Sequence, residues 1–207
     1  MIDTDRPLDE ADVDPDPLLE FQRWYALAEA AGIAQPNGMA LATTGADGAP
    51  SVRFVLLHGL DERGLTFFTN YASAKGADLE RDPRVAVALW WEPLHRQVRL
   101  RGPVARVARE ESEAYWASRP YGSRISASAS PQSRVIVDRG LLEREVTRLE
   151  RLHPESPPLP AYWGGYRLRP QSFEFWQGRR DRLHDRLRYE RRNERDGGGW
   201  RVERLAP

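Results

Sequence analysis

The stretch MALATTGADGAPSVRFVLLHGLDERGLTFFTN, residues 39–70, decides the fold class of this chain. Its apolar residues recur with the period of extended backbone, and the segments GADG and DERG supply glycine where a tight turn needs positive φ. Strands joined by such short turns form an antiparallel meander. We therefore predict three strands, at 39–44, 51–59 and 65–70.

The rest of the chain is also mostly extended. RVAVALWWEP and RQVRLRGPVARV predict two more strands, and GGYRLRP, SFEFWQG and a closing hairpin around NERDGGG predict the last ones. Helices are predicted from Asp16-Pro17 to Gly32, over SAKGADLERDP, and at 108–118 and 138–152, on either side of the polar stretch GSRISASASPQSR. Because helices do not alternate with strands, we predict an α+β protein with an antiparallel barrel or sandwich.

The composition limits the possible functions. The chain has 207 residues with 31 basic and 31 acidic side chains, a balance that argues against neutralising many phosphates on a polyanion. It lacks cysteine, and its four histidines form no H-x-x-x-H pattern, so we predict neither a catalytic thiol nor a metal site. No apolar run approaches the length of a membrane span, so we expect a cytoplasmic protein that binds neither membrane nor nucleic acid.

The charge pattern predicts one domain at 16–207 behind a mobile acidic tail at 1–15. The first 16 residues carry seven acids and one arginine, a composition that cannot bury a core. The 31 basic residues comprise 30 arginines and Lys75. This single lysine either marks a position that favours a compact ammonium group or arises by chance.

The segment DRLHDRLRYERR, residues 181–192, concentrates positive charge near the C-terminus. The glycine-rich turn and the returning WRVERL favour a hairpin, in which Arg182, His184, Arg186 and Arg188 would share one face of a strand. A charged, solvated edge strand explains this pattern on its own, and a site for an anion is the alternative.

A set of separate motifs spans the chain, and these are DPLLEFQRW, SVRFVLL, FFTNYASAK, RQV, YWASRPYGS, QSR, WGGYRLRPQSFEFWQGRRDRLHDRLRYER and the C-terminal WRVERLAP. Together and in this order they resemble the pyridoxamine 5'-phosphate oxidase family, whose members are FMN enzymes of vitamin B6 metabolism. The resemblance covers almost the whole chain after the acidic tail. It implies an FMN-binding split β-barrel, mainly antiparallel with peripheral helices, that forms a homodimer with FMN at the subunit interface. The implied reaction oxidises pyridoxamine or pyridoxine 5'-phosphate to pyridoxal 5'-phosphate, with O2 as acceptor and H2O2 as product.

The resemblance also implies roles for residues at matching positions. Those implied to contact FMN are Arg53, Phe68, Thr69, Lys75, Gln97, Gln132, Ser133, Trp176 and Arg186. Those implied to contact the substrate are His58, Tyr115, Arg119, Ser123, Arg182, Leu183 and His184. Within the second set, Tyr115, Arg119 and Ser123 would hold the 5'-phosphate from one side of a helix, and Arg182 and His184 would act on the substrate ring as catalytic residues.

Four residues depart from the family pattern, and they surround the implied ligands. His58 stands where the family usually has lysine, Ala74 where arginine is common, Phe68 where tyrosine is frequent, and Ser128 where an aromatic residue is usual. The basic-aromatic segment that covers the substrate in many relatives is also missing before Asp16. These differences leave open a related flavin oxidase acting on phenazine precursors, and a flavin- or B6-binding protein without turnover.

Overall fold

The computed structural model describes residues 7–193 and 197–207. These residues form five α-helices and ten β-strands, together with two short 3₁₀ turns. The helices are α1 (Pro17–Ala30), α2 (Ala74–Arg81), α3 (Arg109–Ser118), α4 (Tyr121–Ala129) and α5 (Arg139–Leu152). The strands are β1 (Gly38–Thr44), β2 (Pro50–Leu56), β3 (Gly59–Asp61), β4 (Gly64–Asn70), β5 (Arg84–Trp91), β6 (Arg96–Arg106), β7 (Trp163–Leu168), β8 (Ser172–Gln177), β9 (Asp185–Arg191) and β10 (Trp200–Arg204).

The strands form one curled antiparallel sheet. Its main order is β10-β9-β8-β6-β5-β1-β2, while β7 pairs with both β6 and β4, and β3 pairs with β4. The curl arises at β6, because its first half pairs with β8 and its last three residues pair with β7. The α+β class and the split-barrel architecture predicted from the sequence are therefore confirmed. None of the helices in the described ranges has the length and apolar character needed to cross a membrane.

The core fills the inner face of this sheet and is covered at one end by α1. The side chain of Asp16 caps α1 by accepting a hydrogen bond from the backbone N–H of Leu18, and Pro17 occupies the first turn. Trp24 of α1 meets the buried Phe175 of β8 edge to face, with ring centroids 5.1 Å apart. Such aromatic contacts stabilise the packing beyond the effect of burial alone.

The meander differs from its prediction at one point. Gly48 and Gly64 have φ of 80° and 122°, so both turns use glycine in the predicted way. The strand predicted at 51–59, however, breaks after Leu56, because Leu57 turns inward and the chain passes from the β1 side of the sheet to β4. The break places His58 at the junction of the two parts of the sheet.

The polar stretch after α3 is helical, which the sequence analysis did not predict. It forms α4, whose Ile125 and Ala129 are buried together with Leu149 of α5. The two apolar side chains lie at i and i+4, so one narrow face is enough to dock this otherwise polar helix.

The N-terminal segment contacts the barrel before the predicted domain boundary at Asp16. Leu8 is buried, its carbonyl accepts a hydrogen bond from Arg204, and Arg204 also pairs with Glu10 at 2.6 Å. Ordered contacts therefore begin earlier than the sequence analysis placed them, because arginine from β10 offsets part of the acidic charge. The part of the predicted tail at 1–6 lies outside the described residues.

The basic C-terminal segment forms the predicted hairpin only in part. Strands β9 and β10 pair in antiparallel register, but residues 180–182 form a 3₁₀ turn in which Asp181 and Arg182 have φ of 58° and 61°. Arg182 and His184 therefore precede the strand, and the prediction that they share its face with Arg186 is wrong. Two consecutive non-glycine residues in the left-handed region are unusual and occur preferentially at functional sites.

Candidate active site

A cavity of about 560 Å³ opens between the β2–β3 junction, β4, α3 and α4. Eight of the residues predicted to bind ligands line it, although they come from distant parts of the sequence. These are His58, Phe68, Thr69, Lys75, Tyr115, Arg119, Ser123 and Gln132. The structure therefore brings half of the predicted site together within one chain.

Lys75 is a buried cation in this cavity with neutral partners only. Its Nζ lies 2.8 Å from Oε1 of Gln132 and 3.3 Å from Oγ of Ser73. Among the described residues, no carboxylate lies within salt-bridge distance of this ammonium group. Burial lowers the pKa of Lys75, and the nearby Arg53 guanidinium lowers it further. A cation held in this way favours an anionic ligand.

Arg119 is the second cation of the cavity. Its guanidinium carbon lies 4.7 Å from the ring centroid of Trp163 and 5.3 Å from that of Trp116, and its Nη1 is buried without a hydrogen-bond partner in the described residues. Burial lowers the pKa of this group, while Tyr115 opposes the change. A buried donor left unpaired costs free energy, and a phosphate oxygen would satisfy it.

The sequence predicted that the three residues of the phosphate clamp lie on one helix, and this prediction is wrong. Tyr115 belongs to α3, Ser123 belongs to α4, and Arg119 connects the two helices with ψ of 146°. The extended conformation of Arg119 follows from Pro120, because proline disfavours helical backbone at the residue before it. All three side chains nevertheless line the cavity.

A cluster of aromatic rings also lines the cavity. The His58 ring lies 3.9 Å from the ring of Tyr115 and 5.0 Å from that of Phe68, and Phe68 stacks on Trp163 at 5.6 Å. Burial lowers the pKa of His58, with Glu111 opposing this effect. Burial therefore favours the neutral form of His58, which supplies ring surface where a lysine would supply charge.

Three positions singled out by the sequence lie near the cavity without lining it. Arg53 donates to Oγ1 of Thr43 at 2.7 Å and lies 3.6 Å from Oδ2 of Asp78, so its charge is already partly balanced. Ser133 is exposed and has φ of 72°, and Ala74 begins α2 next to Lys75.

A second group of predicted residues lies on the outer face of the sheet. Gln97 of β6 pairs with Trp176 of β8, which pairs with Arg186 of β9, so these three side chains form one row across the strands. Two hydrogen bonds or ion pairs of 2.8 to 2.9 Å join Arg186 to Glu174. None of these three residues lines the cavity.

His184 extends this row at the end of β8. Its ring lies 4.6 Å from that of Trp176, and its Nδ1 accepts a hydrogen bond of 3.1 Å from the backbone N–H of Arg179. Nε2 therefore carries the proton of the neutral ring. Arg182 and Leu183 lie on the preceding turn and are exposed, Leu183 by 73%.

Several residues that line the cavity were not identified from the sequence. Trp163 forms part of the cavity wall, and Phe54 and Leu56 of β2 line its rim although they are 80% and 48% exposed. For the β2 residues, the sequence did contain a signal, namely the continuous apolar run of this strand. A strand with apolar residues on both faces is covered on both faces, yet the described chain covers only one.

The curled antiparallel sheet defines an α+β split-barrel protein, and its cavity is lined by two cations, Lys75 and Arg119. A family model described as "Pyridoxamine 5'-phosphate oxidase" matches residues 28–153, and one described as "Pyridoxine 5'-phosphate oxidase C-terminal dimerisation region" matches residues 163–207. The chain belongs to the pyridoxamine 5'-phosphate oxidase family and is an oxidoreductase of that family.

Similar proteins agree with this assignment. The chain is 53% identical to a pyridoxine/pyridoxamine 5'-phosphate oxidase of Cupriavidus pinatubonensis and 52% identical to one of Burkholderia cenocepacia, in each case over 97% of this chain and 93% of the relative. Among solved structures, PhzG of Burkholderia lata 383 in complex with tetrahydrophenazine-1-carboxylic acid matches with a TM-score of 0.91 and 32% identity, covering 99% of this chain and all of that chain. An FMN-binding protein of Nostoc punctiforme, at 20% identity and a TM-score of 0.71 over 90% of this chain and 96% of that chain, shares the fold.

Proposed function

We propose that this protein is an FMN-dependent oxidase that converts pyridoxamine 5'-phosphate and pyridoxine 5'-phosphate to pyridoxal 5'-phosphate, using O2 and releasing H2O2. The observation that carries the proposal is the presence of Lys75 and Arg119 in one cavity without a carboxylate partner among the described residues. The reaction needs two phosphorylated molecules, FMN and substrate, and the cavity offers one unpaired cation for each. The residues present therefore fit the cofactor that the family uses.

FMN would be held from two sides. Lys75 would bind its phosphate together with Arg53, while Thr69, Gln132 and Ser133 would offer hydrogen bonds to the phosphate or the ribityl chain. Phe68 would pack beside them. The bound flavin supplies the electron acceptor of the reaction. Lys75 already forms a hydrogen bond with Gln132, so the two polar groups are positioned before a ligand arrives.

The substrate would occupy the α3–α4 side of the cavity. Arg119, Tyr115 and Ser123 would bind its 5'-phosphate, and the neutral His58 ring would lie against it. Arg182, Leu183 and His184 would position the substrate ring, with His184 presenting the N–H of Nε2 to it.

A homodimer would complete this site, because the row of Gln97, Trp176 and Arg186 lies outside the cavity of its own chain. The same sheet face carries the exposed Phe54 and Val52, and beside them the small residues of β1 and β5 allow close approach of a second copy. These small residues are Ala40, Ala42, Ala86 and Ala88. In a two-fold dimer the row of one copy would face the cavity of the other.

A related oxidase acting on phenazine precursors is the second candidate. PhzG, similar over nearly the whole chain, was solved with tetrahydrophenazine-1-carboxylic acid. Neutral His58 in place of lysine, and Ser128 in place of an aromatic residue, weaken the case for a B6 phosphate in this protein. The clamp of Tyr115, Arg119 and Ser123 favours the B6 phosphate, since a ligand without phosphate does not require it.

The deciding experiment is anaerobic reduction of the bound flavin by a panel of pyridoxamine 5'-phosphate, pyridoxine 5'-phosphate and dihydrophenazine carboxylic acids. We expect a yellow dimeric protein whose flavin is bleached by the B6 phosphates. Bleaching by the phenazine compounds alone would replace the first candidate by the second. A protein that is purified without flavin and takes up no FMN on titration would refute both oxidase proposals, and FMN binding without reduction by any compound would favour a carrier.

A further inference from the structure

The row of side chains on the outer sheet face has a fourth member that the sequence analysis did not identify. Trp90 of β5 pairs directly with Gln97 of β6, and the register continues through Trp176 to Arg186. Neighbouring strands are about 4.8 Å apart, and side chains paired across them point to the same face. Trp90, Gln97, Trp176 and Arg186 therefore form one continuous row across four strands.

The orientation of Trp90 is fixed by its neighbours along β5. Leu89 and Trp91 are buried on the inner face, with 0% and 1% of their surfaces exposed, and Trp90 between them is 50% exposed. Its indole ring meets Trp176 edge on, with centroids 5.8 Å apart and planes at 60°. The folded chain thus leaves half of a large aromatic side chain in solvent, at the end of a row of ligand-binding residues.

Trp90, Trp176 and His184 form a continuous aromatic surface, because Trp176 also lies 4.6 Å from the ring of His184. A planar conjugated ring of a ligand that packs against Trp176 would therefore also contact Trp90, His184 or both. An indole ring beside such a ligand contributes offset or edge contacts, which are favourable between aromatic systems.

We propose that Trp90 is a further contact of the flavin ring in the completed site and contributes to FMN affinity. This inference rests on the proposed function, since it requires that FMN binds against the row. Trp90 is a binding residue in this assignment and takes no part in proton or hydride transfer. The neighbouring Gln97 would then lie between two aromatic contacts, in a position to donate to the edge of the ring.

The experiment is a titration of flavin-free dimer with FMN for the unaltered protein and for Trp90→Phe and Trp90→Ala. The readouts are the dissociation constant of FMN and the fluorescence yield of bound flavin, which a nearby indole quenches. We expect Trp90→Ala to weaken FMN binding about tenfold and to brighten the bound flavin. Trp90→Phe keeps an aromatic ring, so we expect it to recover most of the affinity and still give brighter flavin.

Leu19→Ala on α1 is the matched control, because Leu19 is another large exposed side chain, at 47%, and lies outside the row. It should leave both readouts unchanged. Trp90 variants that match the unaltered protein in FMN affinity and flavin fluorescence would overturn the inference while the proposed function stands. A weakened dimer, measured by light scattering, with unchanged flavin properties would also overturn it and make Trp90 an interface residue. Failure of the unaltered protein to bind FMN would overturn both.

Discussion

The cavity and the outer sheet row differ in how their cations are balanced. In the cavity, Lys75 has neutral partners and Arg119 has an unpaired Nη1. On the sheet row, Arg186 is joined to Glu174 at 2.8 Å, and Glu174 also pairs with Arg99 at 3.2 Å. Within the described residues, the charges of the cavity cations are therefore not balanced by carboxylates, whereas the charge of Arg186 in the row is balanced by Glu174.

This difference indicates what each region contributes to binding. Desolvated cations without counter-charge destabilise the free protein and gain most when an anion arrives. A paired arginine gains little charge interaction from a ligand, so in the proposed site the row would contribute ring contacts and positioning. We therefore expect large effects on ligand affinity from changes in the cavity and smaller ones from changes in the row.

Replacement of Lys75 should have the largest effect. Lys75→Ala removes the buried ammonium group, and the loss of a charge-assisted hydrogen bond should weaken FMN binding by about 100-fold. The check is titration of flavin-free protein with FMN. Arg84→Ala is the control, because Arg84 is an exposed cation paired with Asp82 at 2.7 Å and lies outside the cavity. Equal FMN affinity in both variants would contradict the role assigned to Lys75.

Arg119→Ala should separate the substrate from the cofactor. We expect KM for pyridoxine 5'-phosphate to rise about 30-fold while the FMN content stays the same, because Arg119 lies on the α3–α4 side of the cavity. Steady-state oxygen consumption measures KM, and absorbance of released flavin measures FMN content. Pyridoxine without phosphate is the control substrate, and its turnover should be insensitive to the change. Parallel loss of FMN and substrate binding would make Arg119 a structural residue.

The sequence predicted the strands of the meander and of the closing hairpin better than it predicted how they are arranged in the sheet. Strand period and turn glycines are local properties, so β1, β4 and the turns at Gly48 and Gly64 follow from them. The break at His58 depends on which part of the sheet each strand joins, and that is a tertiary choice. Helix α4 was missed because its apolar face is only two side chains wide.

The candidate site shows the same limit. Motif order predicted a set of candidate ligand-binding side chains, but not that they fall into two groups within one chain. Trp90 carries no motif of its own, and only the register of β5 on β6 places it beside Gln97. The N-terminal contacts of Leu8 depend on Arg204, almost 200 residues later in the chain, and local composition cannot reveal such a pair.

His58 offers a smaller, pH-dependent test of the cavity. Burial lowers the pKa of His58 below its ordinary value, which favours the neutral ring. At pH 8, His58→Lys adds a charge and should lower KM for the phosphorylated substrate about fivefold. The ratio of the two KM values should shrink as pH falls through the histidine pKa, since the unaltered ring then gains its own proton. His58→Gln is the control, because its side chain cannot titrate, and the ratio of its KM to that of His58→Lys should not change with pH. If the ratio of the KM of the unaltered protein to that of His58→Lys is also constant with pH, the role assigned to His58 is contradicted.

Glu174→Gln should have the smallest effect on ligand binding and tests the sheet row directly. The variant keeps a hydrogen-bonding side chain but removes the charge shared by Arg186 and Arg99, so we expect a loss of about 1 kcal/mol in the free energy of unfolding. FMN affinity should fall by threefold or less, because Arg186 keeps its hydrogen bond to the carbonyl of Ala206 and the aromatic contacts remain. Denaturant unfolding and FMN titration measure the two effects. Glu203→Gln is the control, since Glu203 pairs with Arg188 at 2.6 Å on the same hairpin and outside the row. If Glu174→Gln weakens FMN binding as much as Lys75→Ala does, the charge of the row matters as much as that of the cavity, and the contrast between the two regions fails.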